Sequence, residues 1–258
     1  MKKNRIYVMM LLAAMLTVAL PWGREAHAQE TTTETLTIGC ALNENAISAL
    51  RVRALLNEIG KLIGKTFVLE FYPSKRVLVE ANTGNIDGDA GRVRELSTNP
   101  DYPNLRIVDA PYNSGSLQVF AQEDADISIE RWEDMLPYRI NYIRGTVLVE
   151  NKLAEYQFPA EKIEDVVHNI QLFRKLVAER TDLVITWYED LTLADMQFMQ
   201  KNQIVPVATL HTVVGFLYLH KRHTDLIPVI QEALIEMDND GTRQKILADI
   251  DAQLGLTP

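Results

Sequence analysis

Thr83-Gly84-Asn85-Ile86-Asp87-Gly88-Asp89-Ala90-Gly91-Arg92-Val93 packs three glycines, two carboxylates and an arginine into eleven residues. Such a run is a poor core and a good strand end opening onto a cleft. Glycine lets backbone or ligand approach closely, and the charges are short-range recognition groups. The stretch is therefore read as the floor of a ligand site.

The segments on its N-terminal side set its place in the fold. Leu36-Thr37-Ile38-Gly39-Cys40-Ala41 alternates as a first strand. Val52, Leu55, Leu56, Ile59, Leu62 and Ile63 repeat with a helical period, and Gly64 stands where a left-handed cap would end that helix. Thr66–Tyr72 is rich in β-formers and stops at Pro73; Ser74 then opens a short helix carrying Val77, Leu78 and Ala81. Ile86 enters the third strand. The order β-α-β-α-β predicts a parallel α/β layer, in which ligands bind beyond the carboxyl ends of the strands. Asn43, Glu44, Tyr72, Arg76, Asp89 and Arg92 all fall at such ends and are candidate ligand contacts.

Downstream, Leu105–Val108 and Leu117–Ala121 are further strands, and the acidic run Glu123-Asp124-Ala125-Asp126 marks a lobe boundary. A second α/β series follows. It comprises a short helix over Trp132–Leu136, strands over Arg139–Ile143 and Ile163–Val167, helices over Gly145–Tyr156 and Ile170–Ala178, a buried strand Leu183–Trp187 and a helix over Leu191–Met199. Val205–Leu210 is expected to return to the first lobe and Gly215–Leu219 to be its next strand, before two C-terminal helices.

The N-terminus reads as a separate object. Lys2, Lys3 and Arg5 precede an apolar run of 15 residues, Ile6–Leu20, and Ala26-His27-Ala28 has the small-x-small cleavage pattern. The run is short of the roughly 20 residues that span a bilayer. A signal peptide over 1–28 and a flexible leader over 29–35 are expected. Removing 1–28 moves the formal net charge from −9 to −12, since it takes away four basic residues and one acid. An acidic chain is a poor partner for nucleic acid or anionic membrane. Cys40, the single cysteine, excludes an internal disulfide and is read as a buried residue ending the first strand.

In order and spacing, four further features make the chain resemble the type II periplasmic solute-binding proteins, in the polar amino acid branch (family 3) of ABC transporter receptors. They are Gly84-Asn85-Ile86-Asp87-Gly88, Val108-Asp109-Ala110-Pro111-Tyr112, the pair Trp132-Glu133-Asp134-Met135 and Arg144-Gly145-Thr146, and Met237–Ile246. The resemblance implies two α/β lobes, each a mainly parallel sheet flanked by helices, joined by two hinge strands. It places lobe 1 at 36–121 and 211–258 and lobe 2 at 122–210. Binding would shift an open–closed equilibrium.

In that family a first-lobe arginine grips a ligand carboxylate, helped by amides and a hydroxyl at a second-lobe helix start. Arg92 is the candidate for the first role, although it comes sooner after the third strand than usual; a surface ion pair with Asp89 or Glu95 is the alternative. Gly145 and Thr146 match the helix start, with Arg144 beside them; a plain helix cap is the alternative. Where the family places an aspartate for the ligand ammonium, this chain has Trp187-Tyr188, with Glu189 and Asp190 beyond. These aromatics either meet the ligand or pack the lobe. Tyr112, near the hinge, has the same two readings.

Asp87 and Asp89 are either paired acid and base groups or residues that cap a turn or pair with a nearby arginine. His220 and His223 lack further ligands for a metal, and no Gly-x-Ser-x-Gly, P-loop or His-Glu-x-x-His pattern occurs. The expected protein is a monomeric, non-enzymatic periplasmic receptor without cofactor. It captures a small polar, carboxylate-bearing solute for an ABC permease. A ligand-sensing accessory of a membrane signalling protein and a dehydratase-like enzyme are the alternatives, the latter using Asp87, Asp89, Glu189 or His211.

Overall fold

A computed structural model describes residues 34–255; the expected signal peptide and most of the leader lie outside them. Nine strands form one hydrogen-bonded path, β2-β1-β3-β9-β5-β8-β6-β7, with β4 on β9. In chain order they are β1 Thr35–Cys40, β2 Thr66–Phe71, β3 Gly88–Arg92, β4 Leu105–Ile107, β5 Asn113–Gln122, β6 Ile140–Ile143, β7 Ile163–Val166, β8 Leu183–Trp187 and β9 Ile204–His220. The helices are α1 Ile47–Ile63, α2 Ser74–Thr83, α3 Val147–Glu155, α4 Asn169–Val177, α5 Leu193–Lys201, α6 Leu226–Asn239 and α7 Thr242–Gln253.

The path divides into two lobes. β2, β1 and β3 run parallel, as do β7, β6 and β8, and β5 and β9 are antiparallel to their neighbours. Side-chain alternation puts a core on each face of each half. On β9, Leu217 and Leu219 pack with α1 and α6, whereas Phe216 and Tyr218 pack with Val77 and Ala81 of α2. On β5, Leu117, Val119 and Ala121 join Met135, Ile140 and Val149, whereas Phe120 joins Leu172 and Phe173. The expected cap Gly64, at φ +68°, ends α1, and Gly84 at φ +80° ends α2; Ser74 is the first residue of α2, where Pro73 precedes it and no side chain caps the helix.

Three expectations are corrected. Val205–Leu210 and Gly215–Leu219 are parts of one 17-residue strand, β9, because it pairs with β5 from Asn113↔Gly215 to Gln122↔Ile204 without leaving the ladder. Leu117–Ala121 is built into the second lobe, since β5 runs past the hinge and pairs with β8 from Leu117↔Trp187 to Phe120↔Val184. The expected helix at Trp132 is a single 3-10 turn, Trp132–Met135.

Besides β5 and β9, the lobes touch at the start of α1. Ala46 offers no side-chain cap, and the Ile47 N–H donates to Leu191 O at 3.0 Å. A first-turn amide that helix geometry leaves without a partner is thus satisfied by the other lobe.

Gly88 sits where β3 meets β9. A Cβ there would strike the Tyr218 carbonyl and lie 3.0 Å from Leu219 Cδ2. Gly88→Ala is expected to cost about 2–3 kcal/mol in urea denaturation, by overpacking against backbone that cannot yield. Gly64→Ala, with open space around it, is expected to cost only about 1 kcal/mol, the strain of its left-handed backbone.

Candidate functional site

The strand ends of both lobes meet at a cleft of about 880 Å³. From the first lobe it takes Leu42, Arg51, Ser74 and the Ala90–Val93 stretch; from the second, Ile143–Thr146, Trp187, Glu189 and Asp190. The hinge strands supply Asn113–Gly115 and Val213–Gly215, and Asp238 and Arg243 close one side. This volume falls in the range of small-molecule sites.

Gly91 aims the floor. Its φ is +105°, a Cβ would lie 2.7 Å from Asn113 Nδ2, and the β3–β9 register slips between Ala90 and Arg92. The resulting bulge turns Arg92 back along its own strand. Arg92 Nε donates to Asp89 Oδ2 at 2.6 Å, Nη1 to Ser74 Oγ at 2.8 Å and Nη2 to Ser74 O at 2.9 Å. The Asp89 side chain is 0% exposed and that of Arg92 14%. Burial pushes the Asp89 carboxyl up to about 6, against the pull of Arg92.

The structure brings Arg92, Tyr112, Arg144, Gly145, Thr146 and Trp187 to the cleft wall. The other six candidates lie off it. Asn43 Oδ1 accepts from Asn45 N in a turn before α1, and Glu44 is exposed beside it. Tyr72 and Arg76 stand at the end of β2, the outermost strand, where Arg76 lies 5.1 Å from the Tyr72 ring centroid and pairs with Glu80 at 3.3 Å. Asp89 lies beneath Arg92. Tyr188 packs against the α4–α5 core. Tyr112, though at the wall, is fully buried and its hydroxyl donates to Val52 O at 2.9 Å; burial raises its pKa well above that of a free phenol.

At the second-lobe helix start, the Gly145 N–H donates to Glu150 Oε1 at 2.9 Å and Thr146 Oγ1 to Ile143 O at 2.7 Å. The chain's own carboxylate occupies an amide that the resemblance assigns to ligand. Arg144 pairs with Asp165 at 2.8 Å in an exposed bridge.

Residues missed from the sequence are Arg51, Ser74, Asn113, Asp190 and Arg243, and Glu189 is named only for the enzyme alternative. Arg51 pairs with Asp251 at 2.5 Å, and Arg243 pairs with Asp238 at 2.5 Å while Nη1 donates to Tyr112 O at 2.7 Å. Glu189 accepts from Ser116 N at 2.7 Å, and burial raises its pKa. Burial, with Glu189 next to it, pushes Asp190 up to about 6. The signal available was position: Glu189-Asp190 directly follows the end of the buried strand β8.

Asp87 is separate from Asp89. It accepts from Thr37 N at 2.7 Å and from Arg222, with His223 Nε2 at 2.6 Å. Those contacts tie β1 to the turn after β9. Cys40 is buried, and burial pushes its thiol up to about 11. No group of three metal-ligating side chains occurs among the described residues, and no described helix is long and apolar enough to cross a membrane.

No protein-family model matches the chain. An uncharacterized protein of Shewanella oneidensis is 27% identical over 184 residues, 69% of this chain and 67% of that relative. Among solved structures, the probable amino-acid ABC transporter extracellular-binding protein YtmK of Bacillus subtilis superposes with a TM-score of 0.63 at 18% identity, over 83% of this chain and 96% of that one. The fold is that of the two-lobed periplasmic solute-binding proteins. An ancestral arginine-binding protein bound to arginine gives a TM-score of 0.57 at 19% identity over 83% of this chain and 97% of that one. A histidine kinase sensor domain with similarity to periplasmic binding proteins gives 0.57 at 16% identity, over 84% and 96%. The resemblance read from the sequence therefore holds for the fold.

Asp190 carries no ion pair among the described residues, so its charge is a cost in the empty protein. Its folded pKa is raised, so that cost is fully present above about pH 6 and is lost as pH falls toward the unfolded value near 4. Asp190→Asn is expected to stabilise the ligand-free protein by about 2 kcal/mol at pH 8, with the gain vanishing near pH 4. Melting temperature against pH for the two proteins reads this difference.

Proposed function

We propose that the protein is an exported, monomeric receptor that captures a small polar solute between its two lobes and delivers it to an ABC importer. The observation that carries this reading is the charged cleft, lined from both lobes and spanned by the β5–β9 ladder. A ligand touching both walls binds the closed arrangement better than the open one, and that difference is what drives closure. The amino-acid-binding neighbours and the signal-like N-terminus support export and capture. A carboxylate on the solute has the least support, because the donors expected to meet it are engaged within the protein.

A second reading, a sensing accessory of a membrane signalling protein, is favoured by the likeness to a histidine kinase sensor domain. Deletion separates the two. Loss of solute uptake supports transport, whereas intact uptake with an altered signalling output supports sensing.

Capture itself is tested by a thermal-shift screen of the exported protein with amino acids, amines, dicarboxylates and aromatic acids. A true ligand at 100 times its Kd stabilises the folded state by about 2.7 kcal/mol. The same ligand is expected to reduce the radius of gyration in small-angle scattering and to be recovered unchanged. A binder that leaves the scattering curve unaltered contradicts closure, and turnover of the ligand would make the protein an enzyme.

A further inference from the structure

The cleft's charges do not balance by chance. Four arginines line it, and each is already matched to an aspartate: Arg92 to Asp89, Arg51 to Asp251, Arg243 to Asp238 and Arg144 to Asp165. The helix-start amide of Gly145 is likewise held by Glu150. What remains uncompensated is acidic. Glu189 and Asp190 line the same wall as Trp187, and neither has an ion-pair partner among the described residues. Glu189 receives the Ser116 N–H and hydroxyl and its own backbone N–H, and Arg51 is the weakest of the influences on it.

From this arrangement we infer that the cleft takes an organic cation, an amine or guanidinium compound that needs no carboxylate, held by Glu189 and Asp190 with Trp187 against its face. The inference rests on the capture reading above. Two half-buried carboxylates without ion-pair partners are costly on their own and become favourable when a cation arrives, because the ion pair forms where water is already scarce. An indole face adds attraction for ammonium or guanidinium. The cavity, about 880 Å³, suits an organic molecule rather than a bare metal ion, for which the described residues offer no ligand cluster.

Anion recognition, by contrast, would require dismantling pairs already made. Arg92 has three of its donors engaged and is tied to a fully buried carboxylate. Removing its charge from Asp89 would strand that carboxylate. Arg144 alone is in an exposed pair, at 65% exposure, that can be given up at small cost. Arginine and agmatine differ by one carboxylate and so read its contribution directly.

The test is isothermal titration calorimetry of the exported protein at pH 7.5 with agmatine, 1,5-diaminopentane, arginine and glutarate. Agmatine or the diamine is expected to bind at least as tightly as arginine, with no heat from glutarate. Asp190→Asn and Glu189→Gln are each expected to weaken the amine tenfold or more while keeping or raising the melting temperature. Arginine binding ten times more tightly than agmatine overturns the inference, as does unchanged amine affinity in both variants. If only acids or neutral solutes bind and close the lobes, the inference fails and the capture reading stands. If none of these probes or the wider screen binds, both fail.

Discussion

The antiparallel ladder between β5 and β9 is the constraint on which everything else depends. It runs from Asn113↔Gly215 to Gln122↔Ile204, and its two ends belong to different hydrophobic cores. Phe216, Leu217, Tyr218 and Leu219 anchor β9 in the first lobe; Leu117, Val119 and Phe120 anchor β5 in the second. Between these anchors lie Val213, Val214 and Gly215, which face the cleft rather than a core. Packed cores resist bending while a two-stranded ribbon with little over it yields, so the closure proposed above would bend this short segment.

The same ladder fixes how the cleft floor is made. Asn113 at the end of β5 lies against Gly91 and Gly215, leaving no room for a side chain at either glycine. Gly91 consequently adopts a left-handed backbone, β3 bulges, and Arg92 folds back onto Asp89 and Ser74. An arginine that looks from its sequence position like a free ligand grip is thereby committed to a buried carboxylate and to the start of α2. The floor is thereby neutralised within the protein.

Most of the layer structure was legible in the sequence, because the 3.6-residue period of α1 and the apolar alternation of β1, β2 and β8 are strong local signals. The hinge was not. Thr209, His211 and Thr212 interrupt the apolar pattern of β9, since a strand crossing between lobes has no core on either side to enforce alternation. For the site, the reading that ligands lie beyond strand ends found Arg92, and the family resemblance found Arg144–Thr146 and Trp187. The strand-end rule misplaced Tyr72 and Arg76 because β2 is the edge strand, three places removed from the hinge strand β9. Arg51 and Arg243 escaped it because their presence at the cleft depends on how α1 and α7 pack, which no local pattern encodes.

The distribution of unpaired charge is where structure adds most to sequence. Folding selects against an uncompensated buried charge, since each one subtracts from a net stability of only about 5–15 kcal/mol. Along the arginines of this cleft that selection is visible: every one has found a carboxylate. Glu189 and Asp190 depart from it side by side, just after the most buried strand of the second lobe and on the cleft wall. Glu189 accepts from Ser116, and Asn169 binds the Asp190 backbone carbonyl at 3.2 Å, so neither carboxylate has an ion-pair partner among the described residues. On the reading proposed above, that partner comes from outside the chain and carries a positive charge.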